Sequence, residues 1–215
     1  MTLRILITGF GPFPGAPYNP TPVLVARLTR LRRPAFAEVE LRSHIFPVSY
    51  RAVDTELPML LAQHRPDALL MFGLATRTPY LRVETRARNA VTQLWPDAAH
   101  AKLRSASIAP GSAAQSFGPH TARLLRAALA TGIDARASRD AGRYLCNYLS
   151  WRAIEACGDA DGPRLAAFVH VPAVPRDVTP RRQASGRVTA EQLVDAGEAI
   201  LLAMVGEARR VARAG

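Results

Sequence analysis

Lysine is almost missing from this chain of 215 residues. Lys102 is the only one, so 27 of the 28 basic residues are arginine, and against 17 acidic residues they leave a net charge of +11. A balance of that sign invites a nucleic-acid partner. The arginines, however, are spread along the chain, with short runs at Arg27 to Arg33, Arg181-Arg182 and Arg209-Arg210. They read as solvated helix faces and ends, and neither zinc-finger spacing nor an aromatic RNA-binding motif accompanies them, so the reading is against nucleic acid. No apolar run approaches the roughly 20 residues of a membrane span. The first residues, Met-Thr-Leu-Arg-Ile-Leu-Ile-Thr, are too short and too β-like for a signal peptide, which places the protein in the cytoplasm. Cysteine is scarce as well: Cys146 and Cys157 are the only two. On one helix their eleven-residue separation spans roughly 16 Å, beyond the ~7 Å limit for a disulfide, so two free thiols are expected.

What remains is a chain with 48% hydrophobic residues, long enough to bury a full core as one domain over residues 1–215. Strand signals alternate with helix signals. Leu3 to Thr8, Val39 to Pro47, Asp67 to Gly73, Asp134 to Ser138 and Arg164 to Val171 read as strands. Thr21 to Arg32, Tyr50 to His64, Ala114 to Ala130, Cys146 to Ala156 and Thr189 to Arg213 read as helices. Thr21 is the candidate cap of the first helix, and Thr189-Ala-Glu-Gln192 has capping-box spacing. Residues 74–113 read as one long irregular segment with a possible β excursion, and 174–186 as a polar loop. The alternation predicts an α/β fold, a three-layer α/β/α sandwich around a mostly parallel twisted sheet.

The first loop, Gly9 to Pro20, is rich in glycine and proline but is no phosphate cradle, since it lacks both Gly-Lys-Ser/Thr and GxGxxG. It offers two aromatic rings instead, Phe10 and Phe13. In a parallel sheet, ligands bind outside the carboxyl ends of the strands. Phe10 and Phe13 follow the first strand, Glu84 the third, Cys146 opens a helix after the fourth, and His170 lies near the end of the fifth. Cys146 taken alone reads either as a small buried hydrophobe or as a nucleophile. A helix start lowers a thiol pKa, because the unpaired N–H groups favour thiolate. Thiolate, imidazole and carboxylate are the set a cysteine hydrolase needs, with backbone N–H groups stabilising the oxyanion. With one cysteine and one histidine near each other, no zinc site is indicated.

Several motifs carry a resemblance. Thr8-Gly-Phe-Gly-Pro-Phe-Pro-Gly15 with Asn19-Pro20, Pro47-Val-Ser-Tyr50, Gly142-Arg-Tyr-Leu-Cys-Asn147 and Phe168-Val-His-Val-Pro172 together resemble the pyroglutamyl peptidase I family of cysteine peptidases, in order and over essentially the whole chain. The resemblance implies a fold related to nucleoside phosphorylases. It also implies hydrolysis of the bond after an N-terminal pyroglutamyl residue. It makes Cys146 the nucleophile, His170 the base and acid, and Glu84 the third member, with Phe10, Phe13 and Asn19 at the substrate. It implies no metal or organic cofactor, peptide substrates as partners, and a homo-oligomer in some relatives, tetramers among them. Departures gather around Glu84, where Gly73, Leu81, Ala87 and Asn89 match. The family has a small residue at Thr76, Ser or Thr at Arg82, a basic residue at Thr85 and an apolar one at Arg86. A relative acting on another blocked or acidic peptide, or a phosphorylase-like enzyme holding phosphate on Arg77 or Arg82, are the alternatives. A non-catalytic, arginine-rich binding protein is a third.

Overall fold

A computed structural model describes residues 2–13, 15–111, 113–174 and 188–214. The order is β1 (Leu3–Phe10), α1 (Thr21–Thr29), β2 (Val39–Phe46), α2 (Tyr50–His64), β3 (Ala68–Ala75), β4 (Leu81–Glu84), β5 (Arg86–Arg88), β6 (Ala114–Ser116), α3 (His120–Ala130), β7 (Ala135–Ser138), α4 (Leu145–Ala156), β8 (Leu165–Pro172) and α5 (Ala190–Ala214). The main sheet runs β2-β1-β3-β8-β4-β7, and β5 pairs with β6 in a separate ribbon.

β1, β3 and β8 carry side chains that are buried on both faces, as strands covered by helices must be. One face (Ile5, Ile7, Leu70, Phe72, Ala167, Val169) joins the core that holds Leu24, Leu124 and Met204 of α1, α3 and α5. The other (Leu6, Leu69, Met71, Ala166, Phe168) joins the core that holds Val53, Leu57, Leu145 and Leu149 of α2 and α4. This is the predicted α/β/α sandwich. The charge of the arginines is partly neutralised along α5: Arg27 of α1 pairs with Glu191 at 2.6 Å, Arg33 in the segment after α1 with Glu198 at 2.6 Å, and Arg123 of α3 with Glu207 at 2.7 Å.

Some expectations change and others are met. The predicted helix 114–130 begins only at His120, because residues 114–116 form β6 against β5, and Gly118, at φ +107°, turns the chain before Pro119. The β excursion expected within 74–113 is present as β4 and β5, with β6 just after it. Finally, β4 runs antiparallel to β8, so the site does not form from strand ends along one parallel edge. Thr21 is the first residue of α1 rather than its cap. Its hydroxyl turns back to β1, donating to the Phe10 carbonyl at 3.0 Å and accepting the Phe10 N–H at 3.2 Å. Thr189 and Gln192 form the expected reciprocal box at 2.9 and 3.1 Å. The polar loop predicted at 174–186 lies, beyond Val174, outside the described residues.

Candidate active site

The site is a row across three strands. Gly73 of β3 is in register with His170 of β8, and His170 is directly opposite Arg82 of β4. Glu84, two residues after Arg82, projects from the same face, since strand side chains alternate. Its carboxylate is fully buried. His170 Nδ1 lies 2.8 Å from Glu84 Oε1. An ionised carboxylate only accepts, so Nδ1 carries the hydrogen and Nε2 keeps its lone pair. Burial pulls the His170 pKa below its ordinary value, against the opposing pull of Glu84. The resting imidazole is therefore neutral, the form a base requires.

Cys146 is the second residue of α4. The loop before it turns at Gly142, which has φ +85° and nothing within 4 Å of an added Cβ, so glycine answers a backbone demand there rather than a packing one. Asp140 Oδ1 accepts the Gly142 N–H at 2.9 Å and fixes the turn. Tyr144, the N-cap residue, makes no side-chain hydrogen bond to the first amides of α4. The thiol lies over Gly73: a Cβ added there would be 2.8 Å from Sγ. That places the sulfur one strand away from His170.

The helix start does not depress the thiol pKa as the sequence suggests. Burial pushes Cys146 up to about 12, and the nearby Glu84 adds to the rise, while Arg82 and the residue's own N–H offset only part of it. The resting pair is thus neutral thiol and neutral imidazole. A nucleophilic role for this thiol would need a base acting as the sulfur attacks.

Both cysteines are free, as expected. Phe10 ends β1 almost fully buried, its ring centroid 6.0 Å from that of Phe46. Phe13 is half-buried against the same apolar cluster, which also takes in Phe168 and Cys146. Asn19 serves the loop itself: its amide donates to the carbonyls of Phe10 at 2.9 Å and Gly11 at 3.1 Å and accepts the Thr21 N–H at 3.0 Å. All its polar atoms are engaged, so it shapes the loop that carries the two rings.

Asn147 and Gly73 also shape the site. Asn147, beside Cys146 and fully buried, accepts the Arg88 N–H at 2.8 Å and donates to the carbonyls of Arg88 at 2.8 Å and Ala90 at 3.0 Å. It ties the segment after Glu84 to the start of α4. Gly73 leaves the space that the sulfur and the Phe168 ring occupy. Arg82, a departure from the family pattern, points at Glu84 and His170, not at an open anion site; Arg77 lies apart, on a surface depression with Thr76, Thr78 and Pro79. Among the described residues no group of three His, Cys, Asp or Glu could hold a metal ion, and no helix is long and apolar enough to cross a membrane.

The chain is similar to known proteins in sequence and fold. A profile of the pyroglutamyl peptidase family matches residues 3–206. The pyrrolidone-carboxylate peptidase of Thermococcus onnurineus is 30% identical over 93% of this chain and 97% of its own, and that of Clavibacter michiganensis is 33% identical over 78% of each. Among solved structures, pyrrolidone carboxyl peptidase from Thermococcus litoralis superposes with a TM-score of 0.84 at 25% identity, covering 97% of this chain and 96% of that one. The enzyme from Fervidobacterium islandicum gives 0.83 at 27% identity, covering 94% and 98%. A matched profile over nearly the whole chain, the same fold and the Cys146, His170 and Glu84 motifs lead to one conclusion: this chain belongs to the pyroglutamyl peptidase family.

Proposed function

We propose that the protein is a cysteine peptidase that hydrolyses the bond after an N-terminal pyroglutamyl residue of peptides. The observation that carries this is the buried His170–Glu84 pair at 2.8 Å, with the Cys146 sulfur packed over the strand position next to His170.

In this reading His170 Nε2 takes the thiol proton as Sγ attacks the carbonyl carbon. The high thiol pKa makes the transfer part of the attack rather than a prior step. Glu84 holds the Nδ1–H tautomer and steadies the imidazolium that forms. The amides at the start of α4 face the developing oxyanion. Collapse of the tetrahedral adduct breaks the C–N bond, His170 hands its proton to the leaving amine, and a thioester to Cys146 remains. Water, deprotonated by His170, then releases pyroglutamate and restores the thiol. No step calls for a metal or organic cofactor. Phe10 and Phe13 supply the apolar slot. Pyroglutamate has no charged α-amine, so it enters such a slot without the desolvation cost that a free N-terminus bears. Two unpaired thiols suit a reducing compartment such as the cytoplasm.

The test is hydrolysis of a pyroglutamyl-linked chromogenic amide by wild type and Cys146→Ala. Wild type should release the chromophore and the variant should fall to background with its circular dichroism unchanged. Activity retained in Cys146→Ala would remove the mechanism.

A further inference from the structure

Glu84 has a second partner besides His170. Arg82 Nε lies 3.4 Å from Glu84 Oε1, the same oxygen that accepts from His170, and Arg82 Nη2 lies 3.2 Å from His170 Nδ1. The guanidinium only donates, and Nδ1 already carries its hydrogen toward Glu84, so the two contacts at Nδ1 cannot both be hydrogen bonds. The charge of Arg82 is therefore directed at the carboxylate. That carboxylate has reason to need it: Glu84 is fully buried, and among the described residues neither its Oε2 nor Arg82 Nε has a hydrogen-bond partner, so the two are coupled by charge. It also stands near a sulfur that must become negative. Arg82 sits on the Nδ1 side of the imidazole, away from the lone pair that serves Cys146, so it acts on the reaction without touching substrate.

We propose that Arg82 is a positioning residue of the catalytic unit: seated across β4 and β8 from His170, its guanidinium neutralises the buried Glu84 and so lets negative charge develop on Cys146. This rests on the peptidase reading above. The groups facing His170 among the described residues are Glu84 and Arg82 from β4, Cys146 from α4 and, at longer range, Asp140 from the loop before α4; the Phe168 ring packs 4.9 Å away and carries no charge. Arg82 favours thiolate over thiol and disfavours a protonated imidazole. It thereby widens the acid side of the working range.

The experiment compares wild type, Arg82→Ser, Arg82→Lys, Glu84→Gln and the double variant R82S/E84Q. Iodoacetamide alkylation of Cys146, followed by mass spectrometry of the Cys146 peptide, reads the thiolate without any substrate. Arg82→Ser should alkylate about tenfold more slowly at one pH, the factor that one pKa unit gives. It should also lower kcat with little change in KM and move the acid limb of kcat/KM to higher pH. Arg82→Lys, which keeps the charge, should recover part of each loss. The double variant should alkylate at nearly the rate of Glu84→Gln, because the carboxylate that Arg82 neutralises is gone; if Arg82→Ser fails to fold, Arg82→Gln, which keeps a polar stem without the charge, takes its place against wild type. Equal alkylation with and without the Arg82 charge beside an intact Glu84 would overturn the proposal. Wild type that alkylates in this pattern but leaves pyroglutamyl amides intact would instead count against the peptidase reading.

Discussion

Gly73→Ala tests the placement of the proposed nucleophile, Cys146, with one methyl group. The backbone of Gly73 requires no left-handed conformation, so alanine introduces no dihedral strain. The added Cβ would meet Phe168 Cζ at 2.7 Å, Cys146 Sγ at 2.8 Å and Phe168 Cε1 at 2.9 Å. Ordinary contacts lie near 3.5–4.0 Å, so the ring and the sulfur must each retreat by about 1 Å. Phe168 is fully enclosed and has nowhere to go. Overpacking of this kind costs about 1–3 kcal/mol, which for a domain of this size lowers Tm by about 2–12 °C. A displacement of about 1 Å at a reacting atom costs roughly 100-fold in rate. Stopped or continuous assay of pyroglutamyl-amide hydrolysis, with calorimetry on the same samples, separates the two effects. Gly206→Ala is the control: nothing lies within 4 Å of a Cβ there, and the residue is inside α5. Alanine at that position should raise stability by about 0.5–1 kcal/mol and leave kcat unchanged. A kcat for Gly73→Ala within twofold of wild type would mean that the sulfur does not rest between Gly73 and His170.

Asn147→Ala should cost about 2–4 kcal/mol, because it removes three hydrogen bonds and leaves groups at Arg88 and Ala90 unpaired; chemical denaturation checks it, and a loss under 1 kcal/mol would show the tie to be dispensable. His120 and His170 are both held below the ordinary histidine pKa of 6.5 by burial. The unfolded chain therefore binds protons first as pH falls, and stability present at pH 7.5 should decline through the region below 6.5. Tm measured from pH 7.5 to 5.5 should fall, and His120→Gln should flatten the slope; a Tm that rises on acidification would refute the assignment of neutral buried imidazoles.

Local patterning was enough for much of the architecture. The apolar runs at Leu3 to Thr8, Asp67 to Gly73 and Arg164 to Val171 declare strands covered on both faces, and the Thr189 to Gln192 spacing declares a helix start, because these features depend on neighbours along the chain. Motif residues likewise mark Cys146, His170 and Glu84. The sequence could not give the direction of β4, since strand polarity is set by which neighbour it pairs with and not by its own side chains. That one antiparallel pairing puts Arg82 opposite His170 and brings Glu84 within 2.8 Å of it. Nor could a helix position fix the state of the Cys146 thiol. The dipole acts from the chain itself, but the burial that overrides it comes from Phe168, Gly73 and the surrounding core, which only meet in the folded molecule. Chemical identity at the site was thus written locally, while its electrostatics were decided by packing between segments far apart in sequence.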